Sequence, residues 1–337
     1  MTASSPIPEA LDRRPAQADV TLLEGLSPDM LPTKERMLAD ASALPSPPLV
    51  VLELLQLLND EDVSLAALAD LVSKDGALAA ELLRTVNSVV FGLSSRVSRI
   101  DRAISTLGLR AFRSLLAKRS MQELVPDGDG AVAGEIRRRC IVNATLARAF
   151  ATEIDENVAE EAFLVGLLGS IGHLAFARVA PEVYAILSDA DHGWLREGTE
   201  REVLGFSSDD ITSELMQRWC MPDVVTEAIR LRGPSVRHLV PRHASPKLII
   251  SLSLAQKAEH VLCGDTPSAD LADLMTEVRK VIGIDMVRLS EILIANEALV
   301  IELAHDLTFE APAVGSHAER VQSAVEEIGE GAETETA

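Results

Sequence analysis

Apolar residues recur along this chain at intervals of three and four, and no convincing run of alternation occurs. Leu49, Leu52, Leu55 and Leu58 share one helical face; Leu65, Leu68 and Leu71–Val72 share the next; Leu78, Leu82, Leu83 and Val86 share a third. Side chains return to the same face of an α-helix about every 3.6 residues, so this spacing calls for helices packed on helices. The punctuation agrees. Ser46 precedes Pro47–Pro48, Ser64 and Asp75–Gly76 open the next two segments, and Ser98 with Asp101 makes a capping-box-like pair that Gly108 closes. Beyond the loop Pro126–Gly130, the pattern predicts helices over 134–152, 158–178, 182–190, 208–219, 222–231, 245–261, 270–282 and 285–308. Only seven Phe, two Trp and one Tyr occur, and Leu and Ala dominate, as helix formers do. The fold class expected is all-α.

Charge and cysteine narrow the function. The formal net charge is −21, which disfavours nucleic acid and anionic membranes as partners, since phosphate contacts need surplus cations. Cys140, Cys220 and Cys263 are isolated, so neither a disulfide framework nor a CxxC pair is expected. The first 30 residues carry Asp12, Asp19 and Glu24 and no apolar run, so no secretory peptide is expected, and the reading is cytoplasmic. The uncharged stretch Ala162–Ala177 is shorter than the roughly 18–20 residues of a bilayer span and reads as a buried helix. Neither a GxxxxGK[ST] loop nor a GxGxxG turn is present, so no cofactor is expected.

One stretch is basic. Residues 96–119 hold Arg96, Arg99, Arg102, Arg110, Arg113, Lys118 and Arg119 against the single acid Asp101, and Arg137–Arg138–Arg139 lie just beyond. A solvated face is the plain reading, and a docking patch for an acidic partner or phosphorylated ligand is the functional one. Gly166, Gly169 and Gly172 recur every three residues in one apolar segment, which points to the close approach of another helix, with a ligand as the alternative. Asn87–Ser88 end an apolar helix where their side chains can bond free carbonyls or the next loop. Asp209–Asp210 after Ser207–Ser208 read as acids at a helix start. His238 and His243 flank Pro241 without a metal-binding pattern, and Cys220 beside Trp219 reads as core.

Taken together, several phrases resemble one family. They are Leu44–Pro48, Leu71–Asp75, Leu82–Ser88, Phe91–Gly92, Ile100–Gly108, Gly166–Leu174, Glu202 with Gly205, Trp219–Pro222 and Ala228–Arg230. Over about 44–240 the chain is similar to the HDOD family, the HD-related output domains of bacterial signalling proteins. That family is related to HD phosphohydrolases, in which His and Asp ligands hold a divalent metal that activates water. The resemblance puts Gly169 and Ser170 at the signature His-Asp pair and His173 at the family's lysine. It puts Ser208 at a later His, and Arg232 with Gly233 at a paired His-His. No strong ligand survives at these positions.

The expectation is therefore an all-α, two-lobed HDOD-like domain (lobes 44–126 and 131–240). A flexible leader covers 1–43, a helical extension 241–310 and an acidic, disordered tail 311–337. The function expected is non-catalytic signalling through protein contacts or a small phosphorylated messenger. The pathway would be of the cyclic-dinucleotide or response-regulator kind, and a homodimer stays open. The candidate cleft is Gly169, Ser170, His173, Ser208 and Arg232; the candidate docking patch is Arg99, Arg102, Arg110, Arg113, Lys118 and Arg119; Asn87 and Ser88 are a structural motif. Two alternatives remain: a phosphohydrolase with a rebuilt site, for example His173 with Asp209 and His243, and a nucleic-acid-binding regulator.

Overall fold

A computed structural model of the chain describes residues 31–41, 48–58, 63–88, 91, 96–124, 130–190, 197–219, 221, 223–233, 241–264, 267–306, 316 and 318–326. Among them every regular element is helical. The chain divides into two compact units, the smaller formed by residues 45–129 with 305–309 and the larger by 1–44, 130–304 and 310–337.

The smaller unit holds α2 (Leu49–Leu57), α3 (Leu65–Val72), α4 (Gly76–Val86), α5 (Ile100–Leu107) and α6 (Leu109–Leu124). Ser64 and Asp75 cap α3 and α4 as the sequence suggests: the Ser64 hydroxyl accepts the Ala67 N–H, and Asp75 accepts those of Ala77 and Leu78. Leu68, Val72, Leu78, Leu82, Val86, Ile104, Phe112 and Leu116 fill the core. Asn87 ties the end of α4 to the extended approach of α5. Its amide donates to the carbonyls of Leu83 and Val97 (both 2.8 Å), and its oxygen accepts the Val97 N–H at 2.7 Å. Ser88 is exposed, and its backbone N–H closes the turn onto Thr85. Asn87→Ala strips three bonds from a part-buried backbone segment, and we expect a loss of about 1–3 kcal/mol in urea denaturation. Ser88→Ala should leave the midpoint unchanged.

The larger unit begins with α1 (Lys34–Ala41), which lies inside the stretch read from sequence as a flexible leader. For Lys34–Ala41 that reading is corrected, and residues 1–30 lie outside the described residues. Met37 and Leu38 are buried, α1 packs on α9 and α12, Lys34 pairs with Glu214 at 2.8 Å, and the Leu38 carbonyl accepts Arg218 at 2.8 Å. Next come α7 (Gly130–Ile154), a 3-10 turn (Glu156–Val158), α8 (Ala159–Leu168), α9 (Ile171–Val179) and α10 (Pro181–Ala190). After them stand α11 (Glu197–Leu204), α12 (Ser208–Arg218), α13 (Asp223–Arg232), α14 (Pro246–Cys263), α15 (Pro267–Val281) and α16 (Met286–Asp306). The long α7 is the spine, packed against α8 and α14. Thus α14, set apart as an extension by its sequence, lies against the same spine as α8. Charge holds it there as well as apolar contact. Arg139, which reads as part of a basic run, is buried with Glu259 of α14 at 2.7 Å and also bonds the Cys263 carbonyl. A last helix over 318–326 (α17) corrects the tail reading for those residues. Val321 and Ala324 are buried, and Arg320 bonds the carbonyls of Gly264 and Val261 where α14 ends.

One predicted helix is two. Instead of a continuous 158–178, the ladder is broken at Gly169–Ser170, where the Gly172 N–H goes to the Thr212 hydroxyl at 2.8 Å. The His173 N–H bonds the Ser170 carbonyl, and the Gly169 carbonyl accepts from side chains of α12 and α13. Backbone groups that would have sustained the helix are taken by neighbours. Among the described residues, Glu156–Val179 is the one segment long and apolar enough to cross a membrane, and 83% of its 18-residue apolar window is buried within the protein.

Candidate functional site

The five cleft candidates all lie in the larger unit, and the break between α8 and α9 brings them together. Arg232, at the end of α13, turns its guanidinium inward across Gly169. Its Nε and Nη2 bond the two oxygens of Asp209 at 2.9 and 2.5 Å, and Nη2 also bonds the Gly169 carbonyl at 2.9 Å. Arg232 and Asp209 are each 1% exposed. Burial works against the charged guanidinium, but the charge and hydrogen bonds of Asp209 outweigh it and hold its pKa above the ordinary value.

Each glycine on α8 and α9 makes room for a particular neighbour. A Cβ on Gly166 would stand 2.9 Å from the Ala144 Cα of α7, one on Gly169 would strike the Arg232 guanidinium, and one on Gly172 would strike the Ser208 carbonyl of α12. Gly233 likewise leaves room for the Glu197 carboxylate.

A second buried group adjoins the ion pair. Glu200 on α11 accepts the Ser208 N–H at 2.5 Å and the Ser208 hydroxyl at 2.9 Å; that hydroxyl also lies 3.3 Å from Nε2 of His173. His173 stands edge-on to Tyr184, its Nδ1 3.9 Å from Glu200. Burial, reinforced by the charges of Arg232 and Arg139, pushes His173 down to about 3, so the ring is neutral. Burial pushes Glu200 well above the ordinary carboxylate value despite the Ser208 bonds, and nearby Asp209 and Glu197 push it further. Ser170 bonds to the buried Cys140, whose thiol burial raises to about 12.

These two shifts set opposite pH flanks. As pH falls below 6.5 the unfolded chain takes up the His173 proton before the folded one does, so stability declines toward pH 3. Folded Glu200 keeps a proton that the unfolded chain releases above about 4.5, so stability also drains as pH rises through its folded pKa. Glu200→Gln keeps the oxygen that accepts from Ser208 and removes the titration. We expect this variant to be more stable than wild type at pH 8 by on the order of 2 kcal/mol, with the gap closing by about pH 4; equal urea midpoints at both pH values would refute the assignment.

The donor set does not fit a divalent metal. Both Asp209 oxygens are engaged by Arg232, Ser208 donates to Glu200, and Gly169 and Gly233 offer no side chain. Among the described residues, no three His, Cys, Asp or Glu side chains converge to hold an ion. What occupies the centre is a guanidinium.

The candidate patch is less concentrated than its sequence. Arg99 is 77% exposed and pairs with Asp101 at 2.6 Å, and Arg102 is exposed. Arg113 turns back to the Leu58 carbonyl, and Arg119 is half-buried. The side chains of Arg110 and Lys118 lie outside the described residues, as do His238 and Cys220. His243 is exposed beside Asp223 and is not among the residues around His173. The two acids at the start of α12 divide: Asp210 completes a capping box with Ser207, as expected, while Asp209 turns inward to Arg232. Glu200 is a member of the site that sequence reasoning misses, because 197–204 carries few apolar residues and gives no hint that a carboxylate turns inward.

A family profile described as HDOD domain matches residues 44–233, over half the chain. The chain belongs to the HDOD family. An uncharacterized protein of Treponema pallidum (strain Nichols) is 28% identical over 237 residues, 66% of this chain; the match spans 44% of that relative's length. An HDOD domain protein of unknown function from Geobacter sulfurreducens superposes with a TM-score of 0.57 at 21% identity, covering 80% of this chain and 98% of the other. A candidate phosphohydrolase of Shewanella amazonensis SB2B superposes equally well (TM-score 0.57) at 27% identity, covering 81% and 98%. These similarities agree with the all-α architecture. The HDOD match spans both units, and each of the five cleft positions bonds or contacts another of them: Gly169 with Arg232, His173 with Ser208 and with the Ser170 carbonyl.

Proposed function

We propose that this HDOD protein is a non-catalytic, cytoplasmic signalling element that works through contacts with other proteins. One observation carries the reading: the Arg232 guanidinium, bonded to Asp209 and to the Gly169 carbonyl, stands among the positions where the family resemblance expects a metal. A fixed, ion-paired cation there leaves no open coordination position for a metal that would activate a water. Protein contact is supported by α16, where Val287, Ile294 and Ile301 are exposed at seven-residue intervals, the spacing of a helix-docking stripe. The rival is a phosphohydrolase with a rebuilt site, favoured by the 27% identity to the Shewanella candidate phosphohydrolase.

Purified protein incubated with a panel of phosphoesters and manganese separates the two. The expected result is no turnover above buffer, together with less than about 0.1 equivalent of bound iron, manganese or zinc by elemental analysis. Manganese-dependent turnover that disappears on substituting Asp209 would establish the rival instead.

A further inference from the structure

A cavity in the larger unit lies against α12 and α13, lined by neither member of the buried Arg232–Asp209 pair. It encloses about 840 Å³, within the range of small-molecule sites. On α12 its wall is Asp210, Ser213, Glu214 and Gln217. On α13 it is Asp223, Thr226, Glu227 and Arg230. Both sets have the i, i+3, i+4, i+7 spacing at which a helix ordinarily places the apolar stripe that it buries. Here both stripes are polar, while Ile211, Leu215, Val225 and Ile229 carry the packing on the opposite faces. Lys34, Arg242 and His243 complete the wall.

The charges in this basin are not equally available. Asp210 is paired with Arg201 at 2.8 Å, and Glu214 with Lys34 at 2.8 Å. Glu227 accepts the backbone N–H groups of Arg242, His243 and Ala244; burial alone would raise its carboxyl, but these three bonds outweigh it and hold it low. The same bonds fix the backbone that carries Arg242. Asp223 lies 4.0 Å from His243. The guanidinium groups of Arg230 and Arg242 are exposed and have no partner among the described residues. They are the two cations left to act on a ligand, and the exposed Asp223 is the acid they must outweigh.

We propose that the basin binds a small, hydrophilic oxyanion, a phosphate ester or a polycarboxylate, anchored by Arg230 and Arg242. Guanidinium forks suit either kind of oxyanion. The Ser213 and Thr226 hydroxyls are buried and already donate to the carbonyls of Thr226 and Asp223, so the two guanidinium groups carry the recognition, for the oxyanion and not for its body. The inference is independent of whether the buried Arg232 cluster has any chemistry, because its readout is binding and its residues are separate.

The test is isothermal titration of the full-length protein at low salt with glycerol 3-phosphate, pyrophosphate and citrate. One saturable site is expected for at least one probe, and the preferred probe tells phosphate from carboxylate recognition. Arg230→Ser with Arg242→Ser should weaken binding about tenfold or more. Gln217→Trp, which fills the basin from an exposed position, should weaken it too. Arg102→Ser, an exposed arginine of the smaller unit, should bind as wild type does. Unchanged melting curves check that the variants fold. No saturable binding with any probe overturns the proposal. So does undiminished affinity in both basin variants, or an equal loss in Arg102→Ser.

Discussion

Arg232→Met is expected to lower the unfolding free energy by about 3–5 kcal/mol, because it strands Asp209 as an unpaired charge in a buried site. The geometry makes the loss unusually complete. Both carboxylate oxygens of Asp209 and the Gly169 carbonyl lose their guanidinium donors together, in a place closed to water. Arg232→Lys should recover only part, since one ammonium cannot reproduce the planar fork that spans Asp209 and Gly169. Arg232→Met with Asp209→Leu should recover most of the loss, since removing both charges abolishes the desolvation penalty rather than exposing it. Urea midpoints of the three variants decide the matter. If the single substitution costs under about 1 kcal/mol, the ion pair is not what organises this centre.

Gly172→Ala is the second large expectation. The added carbon would meet the backbone of Ser208 and, at 2.7 Å, the Thr212 hydroxyl. The obstruction is helix backbone rather than the flexible end of a side chain, so α9 and α12 must move apart and lose the Gly172–Thr212 bond. We expect about 3 kcal/mol or more of destabilisation, at the upper end of overpacking penalties. Gly134→Ala on α7 is the matched control, because nothing lies within 4 Å of its added carbon. There the better helix former should add about 0.5–1 kcal/mol. The same chemical change thus has opposite signs at two helical glycines, and thermal melts of the two proteins read it directly.

The triplet of glycines points, from sequence, to close approach, but not to three different neighbours: α7 backbone, a guanidinium and α12 backbone. Asn87 is recognisable as a bonding residue at a helix end, since its side chain can reach only nearby groups. The Arg137–Arg139 run reads as a basic surface, yet Arg139 is buried against Glu259, 120 residues away. Leader and tail look solvated by composition, but two apolar residues in each, Met37 with Leu38 and Val321 with Ala324, are buried and, with the bonds of Lys34, Leu38 and Arg320, seat α1 and α17.

The linear order of residues determined whatever depends on contacts within a few positions: helical class, most caps and breaks, and the family, whose motifs are themselves local. Tertiary structure alone decided which polar groups face one another. Arg232, Asp209, Glu200 and Gly169 come from separate segments of the chain, and whether each side chain meets water or a counter-charge depends on how their helices cross. A buried charge is tolerable only with its partner in place, so the pairing that closes this centre arises only in the assembled fold.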